Sequence, residues 1–332
     1  MKKSIFLLSL FAFCLQLFAG NLPSNTRLRV AACNVANYLS DFEASNASCT
    51  SQSAFDEKTN KMATLFVNLQ ADIVALCEVQ QDDDILGYIV DAMNNKVGTA
   101  VYDYVLDGSK YNNPSPGSYG DIKCGYIYRR DKIIEGNRYS TNSSDATFKL
   151  RMQVICFTEK STKEKFVLSL NHLQSKKTDT SGAKRKSQAT TLVSALKNNN
   201  YGDPDILIVG DLNAETTEDC LSPIMSAGYE EQLLRFDSKA YSYVYLGARQ
   251  LIDHALANST MAEQVTGAYV DHSVNFSDHD CVVVGLDLGN RSAIDYVIPD
   301  DDTTTRQKIY RNGQIYIQVG EHLFDVMGRK VE

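Results

Sequence analysis

Ile206-Leu207-Ile208-Val209-Gly210-Asp211-Leu212-Asn213 is the stretch that decides the fold. Its aliphatic run has strand length, and Gly210-Asp211 supplies turn chemistry at the end. Such short apolar runs bounded by turn signals fit buried strands. The same punctuation recurs along the chain. The run from Leu28 to Cys33 meets Asn34, and the run from Ile73 to Cys77 meets Glu78. The run from Phe166 to Leu170 meets Asn171-His172, and Leu251-Ile252 meets Asp253-His254. Ser277-Asp278-His279-Asp280 leads into the apolar run that starts at Cys281.

One aspartate after a strand is ordinarily a turn former. The coincidence of several such endings gathers carboxylates, amides and imidazoles on one rim of the sheets. Carboxylates so gathered repel one another unless a cation sits among them. Oxygen donors without thiolates suit Mg²⁺ or Mn²⁺. No CxxC spacing supports a thiolate zinc site.

Helical periodicity separates the strands. Met62, Leu65, Phe66 and Leu69 share one helix face, as do Ala189, Leu192, Val193 and Leu196. Asp82-Asp83-Asp84 before Ile85, Ile89 and Met93 suits a helix N-terminus. Strands alternating with helices make an α/β layered fold. Neither GxGxxG nor GxxxxGK[ST] is present, so nucleotide-cofactor folds have no support.

Composition sets the outer bounds. The 332 residues carry 33 Lys+Arg against 41 Asp+Glu, a net charge of −8, with 43% hydrophobic residues. Such a chain is neither disordered nor a polycationic nucleic-acid coat. Basic residues cluster locally instead, at Arg129-Arg130 with Lys132, at Lys176-Lys177 and at Lys184-Arg185-Lys186. Residues 1–20 read as a secretory signal, with Lys2-Lys3 before an apolar stretch and Ala19-Gly20 for cleavage. The expected destination is therefore outside the cell or its surface, with the periplasm as the alternative. No later stretch is long and apolar enough to span a membrane. Beyond Cys14 seven cysteines remain, an odd number. Cys33, Cys77, Cys156 and Cys281 sit in apolar runs and read as core, while Cys49, Cys124 and Cys220 are the better bridge candidates. Residues 291–306 form a polar linker, and 307–332 a β-rich tail turning at Asn312-Gly313. That tail resembles the C-terminal sorting tails of type IX secretion substrates; an ordinary edge hairpin is the alternative.

Taken in order, CNVANY, ALCEVQ, GYIYRRDKI, LNHLQS, VGDLNA, LIDHALAN and SDHD resemble the endonuclease/exonuclease/phosphatase superfamily. The likeness runs from about Arg27 to Leu288, and NHLQSK with YSYVYLGARQLIDHALA is similar to its secreted bacterial nucleases. It implies a DNase I-like, four-layered α/β/β/α sandwich at 21–290. It implies a metal held by Asn34, Glu78 and Asp278, with Mg²⁺ expected, Mn²⁺ acceptable and Ca²⁺ open as a structural ion. His172, Asp211, Asn213, Asp253 and His279 are the implied catalytic set. Tyr128, Arg129, Asn171 and Arg185 are the implied substrate contacts. His254 and Asp271-His272 match no family position and read as structural.

The function expected is a secreted, metal-dependent, sequence-nonspecific nuclease acting on DNA, with RNA open, and working as a monomer. The rivals are a sphingomyelinase-like lipid phosphodiesterase, an inositol-phosphate phosphatase and a catalytically silent binding module. A sphingomyelinase should carry an exposed aromatic hairpin for membranes. Trp is absent, and no such hairpin is expected here.

Overall fold

The computed structural model describes residues 22–81, 84–106, 122–140, 152–198, 201–289, 306–311, 314–319, 322–325 and 331. The strands in chain order begin with β1 (Leu28–Tyr38), β2 (Ile73–Gln80), β3 (Tyr102–Tyr104), β4 (Ile122–Arg129), β5 (Ile133–Ser140) and β6 (Met152–Glu159). They continue with β7 (Lys165–Asn171), β8 (Ile206–Asp211), β9 (Glu230–Glu231), β10 (Tyr243–Tyr245), β11 (Ala248–Gln250) and β12 (Asp253–Ala257). The body closes with β13 (Val265–Asp271) and β14 (Cys281–Leu286). Its three long helices are α1 (Gln52–Asn68), α2 (Ile85–Val97) and α3 (Ala183–Asn198).

Two six-stranded sheets form, in the orders β13-β14-β1-β2-β4-β3 and β5-β6-β7-β8-β12-β9. Each has one parallel pair, β1 with β2 and β7 with β8. Parallel neighbours need a crossover, and α1 and α3 supply them. Alternation then builds the layers. Val30, Ala32, Leu207 and Val209 face the buried layer between the sheets, with Phe157, Leu168 and Val284. Ala31 and Cys33 face α1, where Met62, Phe66 and Leu69 pack. Ile208 faces α3 and meets Ala189, Leu192 and Leu196. The unbroken apolar run at 206–209 is thus explained by burial on both sides, and the expected four-layered sandwich is what forms.

Two local expectations changed. The described cysteines are all free and all buried, with Cys49, Cys124 and Cys220 among them. Cys49 and Cys220 belong to different helix-side cores, and Cys124 lies in β4 with its sulfur 3.9 Å from that of Cys77. The helix at 85–97 forms, but Asp84 at its N-cap makes no capping bond, and Asp82-Asp83 lie outside the described residues. Ser51 caps α1 instead, accepting from the Ala54 amide.

The chain divides at Leu288 into two compact units. In the second, β15 (Arg306–Arg311), β16 (Gln314–Val319) and β17 (His322–Asp325) form an antiparallel sheet. Arg311 pairs with Gln314, and the expected turn at Asn312-Gly313 lies outside the described residues. The signal at 1–20 and nearly all of the linker at 291–306 lie outside the described residues.

Gly210 fixes the level at which the rim begins. Its φ of +115° is open to glycine, and an added Cβ would meet the Asn171 carbonyl oxygen at 2.2 Å. Strain and overpacking each cost about 1–3 kcal/mol, so Gly210→Ala should lower stability in urea unfolding by at least about 2 kcal/mol.

Candidate active site

The strand ends converge as their residue types suggested. Asn34 in β1 donates through Nδ2 to Glu78 Oε1 at 3.1 Å and to Asp211 Oδ2 at 3.0 Å. Glu78 belongs to the same sheet, while Asp211 closes β8 of the other. His172 Nε2 lies 3.6 Å from Glu78 Oε1 and 3.6 Å from Asp211 Oδ2. His279 Nδ1 bonds Asp253 Oδ2 at 2.7 Å, which turns its Nε2 to within 3.8 Å of Asp211 Oδ2. Asn213 donates its backbone N–H to Asp211 Oδ1 at 2.8 Å and its amide to Asp211 Oδ2 at 3.2 Å.

Unusual backbone makes this possible. Ala36, Asn37, Glu78 and Asn213 are non-glycine residues at positive φ, between 50° and 65°. Such conformations cost about 1–3 kcal/mol each and persist only under surrounding bonds. Those bonds are present. Asn34 Oδ1 accepts from the Ala36 amide, and Glu78 Oε2 accepts from the Asn37 amide, both at 2.9 Å. Lys58 on α1 donates to the Ala36 carbonyl at 3.0 Å and to Ser48 Oγ at 2.8 Å. Ser277 Oγ donates to the Asn34 carbonyl at 2.7 Å, tying the approach to β14 onto β1. Ser242 Oγ accepts from the Asp253 amide at 2.9 Å.

Electrostatics follow from burial. Asp211 is 1% exposed. Burial pushes its carboxyl up to about 7; Asp253 adds to the rise, while His279 and Asn34 oppose it. For His279, burial alone would lower the pKa. The carboxylates of Asp253 and Asp211 outweigh that and hold the ring well above the usual histidine range.

Beside the expected ligands Asn34, Glu78 and Asp278, a second group of side chains could hold a cation. Ligand atoms of Asp211, Asp253 and His279 lie within 4.8 Å of one another. Glu78 joins them through Asn34 and His172, whereas Asp278 sits at the exposed edge. This donor set is oxygen and nitrogen only, and Asp253 Oδ1 is buried without a hydrogen-bond partner. A hard divalent cation fits such a set and offsets its excess of carboxylates.

Four expected substrate contacts lie elsewhere or point inward. Tyr128 pairs with Ile73, at the end of β2 opposite Glu78. Arg129 beside it pairs with Tyr102 and is bound to Asp131 at 2.6 Å. The strand runs antiparallel to β2, so its YR segment is carried away from the rim. Lys123, not Arg129, stands opposite Val79 near the rim, and alternation gives it the helix-side face shared by Ile127. Asn171 is fully buried and donates to Ser169. Arg185 is 3% exposed and grips the carbonyls of Asn213 and Asp179 at 3.0 and 2.9 Å. It braces the Asp211–Asn213 turn from below.

His254, read from the sequence as structural, is buried and bonded on both ring nitrogens. Alternation puts it on the face of β12 opposite Asp253. Its Nδ1 meets Glu231 Oε2 at 2.5 Å and its Nε2 meets the Ala214 carbonyl at 2.7 Å. Both nitrogens face acceptors, so the ring is an imidazolium that clamps the residue after Asn213.

Beyond this geometry, the family model described as Endonuclease/Exonuclease/phosphatase family matches residues 44–279. The chain belongs to that family. It is a hydrolase of phosphate esters, and family enzymes generally depend on a divalent metal. Its fold is similar to that of an endonuclease/exonuclease/phosphatase from Bacteroides vulgatus, at 14% identity and a TM-score of 0.57, covering 79% of this chain and 98% of that one. The human Nocturnin catalytic domain is similar at 18% identity and a TM-score of 0.55, with 79% and 94% covered. A mannosyl-6-phosphatase from Bacteroides thetaiotaomicron is similar at 17% identity and a TM-score of 0.54, with 78% and 99% covered. No curated protein sequence matches the chain.

The buried His254–Glu231 pair generates a pH prediction. Burial lowers the His254 pKa, but Glu231 and the Ala214 carbonyl raise it above the normal value overall. A raised folded pKa stabilises below the unfolded value, near about 6.5, and the gain is lost as pH rises through the folded value. Wild-type stability should therefore fall with pH in that window. Urea midpoints of Glu231→Gln across the same range should show a shallower fall, and a lower plateau by about 3–5 kcal/mol from breaking a buried pair.

Proposed function

We propose that this chain is an exported, metal-dependent nuclease that hydrolyses phosphodiester bonds without reading sequence. The observation that carries the diester reading is the chemistry of the donors at Asp211 and Glu78. They are the amides of Asn34 and Asn213 and the rings of His172 and His279, with His279 held cationic by its carboxylate neighbours and no Lys or Arg side chain among them. Arg185 is turned to backbone carbonyls instead. A diester carries one negative charge, whereas a phosphomonoester at neutral pH carries about 1.5–2 and calls for more cationic contact. Mg²⁺, with Mn²⁺ as substitute, would supply charge neutralisation at the phosphate and the leaving oxygen.

The chain's own groups do the rest. Asp253 orients His279 and fixes its Nδ1 proton, leaving Nε2 aimed at Asp211. That pair can take a proton from the attacking water. Asn34, Asn213 and His172 are placed to donate to phosphoryl oxygens as charge develops on them. Lys177 and Lys184 are exposed on the loop and helix beyond His172 and can meet neighbouring phosphates. Lys176 and Lys186 are engaged by Glu218 and Asp219. The signal pattern at 1–20 supports export, and a monomer is the working form proposed.

The mature chain should degrade plasmid DNA with Mg²⁺ and stop on addition of EDTA. Asp211→Ala and His279→Ala should each lower kcat/KM by about 10²–10⁴-fold with folding retained by circular dichroism. Intact DNA alongside hydrolysis of a sugar phosphate or sphingomyelin would contradict the nuclease reading.

A further inference from the structure

Among the described residues, the hairpin β10–β11 is the one segment that presents three large apolar side chains in a row to solvent. Val244 is 51% exposed, Tyr245 55% and Leu246 90%. The expectation that no exposed aromatic hairpin exists is therefore corrected. The turn between the strands is Leu246-Gly247, both at positive φ (47° and 83°), which is a tight two-residue connection. A Cβ at Gly247 would meet nothing within 4 Å, so the tip stands clear of the body.

The root of this hairpin is fastened to the active site. Tyr243 forms a backbone bridge with His279, and the two rings lie 4.7 Å apart. Tyr241 stacks on His272 at 4.4 Å, and the Arg249 guanidinium covers the Tyr241 ring at 4.3 Å. Side chains two apart on a strand share a face. Tyr245 therefore continues the face on which Tyr243 covers His279, and it stands about 7 Å further out. Val244 takes the other face, and Leu246 stands at the turn. An exposed aromatic ring one step beyond His279, with the Arg249 cation paired across from Val244, has the makings of a stacking platform.

Resting on the nuclease reading above, we propose that the Tyr243–Gln250 hairpin grips the nucleotide next to the scissile phosphate. Tyr245 stacks on a base, and Leu246 and Val244 wedge against its unstacked neighbour. Every base has a flat face, so this grip is strong for unpaired strands and indifferent to sequence. A nucleic acid fits better than a lipid surface because the aromatic ring shares the face that covers His279. A membrane anchor has no need of that register.

The test is the triple variant Val244→Ser, Tyr245→Ser, Leu246→Ser, compared with wild type in Mg²⁺. All three side chains are exposed, so the fold should survive, as a thermal melt will verify. The substrates are a single-stranded oligodeoxynucleotide and bis(p-nitrophenyl) phosphate. The expected result is a KM for the oligonucleotide raised about tenfold or more, with kcat/KM on the small ester within about twofold. An unchanged oligonucleotide KM, with DNA still cleaved, overturns the hairpin proposal and leaves the nuclease reading standing. A wild type that hydrolyses the small ester but no DNA or RNA overturns the nuclease reading and this proposal with it. Co-sedimentation of wild type, but not the variant, with phosphatidylcholine–sphingomyelin vesicles, at unchanged oligonucleotide KM, assigns the hairpin to a lipid surface and overturns the proposal.

Discussion

The Asn34 amide, shared between Glu78 of one sheet and Asp211 of the other, is the contact on which the rest of the site depends. Two sheets packed through apolar side chains can slide without large loss, because apolar contact is non-directional. A hydrogen-bonded amide between two carboxylates cannot. It sets the register of the two rims, and the other bonds reinforce it. Ser277 holds the Asn34 carbonyl, and Asn34 Oδ1 holds the Ala36 amide. The interface below stays apolar, so the polar contact lies where the layers open to substrate.

Positive-φ residues show what this register demands. Glu78 could reach Asn34 from an ordinary strand only with its side chain directed into one face or the other. The left-handed turn of its backbone brings the carboxylate over the strand end, where Asn37 and Asn34 both bond it. Asn213 uses the same device to fold its amide back on Asp211. Gly210 allows β8 to pass close over Asn171, which lowers Asp211 to the level of Asn34. The strain is local, and the bonds that hold it come from α1, β2 and the segment before β14.

Much of this was legible in the sequence, for a physical reason. Glu78 and Asp211 lie at the C-terminal ends of β2 and β8, His172 follows β7, Asp253 opens β12 and His279 precedes β14, so apolar runs bounded by polar residues marked this rim. Burial of β8 was likewise written into the unbroken run at 206–209. What failed to show was direction. Tyr128 and Arg129 follow an apolar run just as Glu78 does, yet β4 is antiparallel to β2, so the same punctuation falls at the far end. Strand polarity depends on pairing, which local composition does not encode. Arg185 was expected to contact substrate, but its helix turns it inward to the Asn213 carbonyl. His254 was read as structural, but its partners, Glu231 and Ala214, could not be named because they are distant in sequence.

The free cysteines fit the same picture of a body held together by layers. Disulfides stabilise small exported domains that cannot build enough core. Here three extended clusters are already packed, one between the sheets and one under each set of helices. Each described cysteine is buried within one of them, and acts as a small apolar residue. Burial keeps the Cys77 thiol, whose pKa is raised well above normal by desolvation and by Cys124 beside it, from becoming a thiolate next to Glu78. Cys77 itself belongs to the apolar layer between the sheets, one residue before the carboxylate that Asn34 and Asn37 hold at the rim.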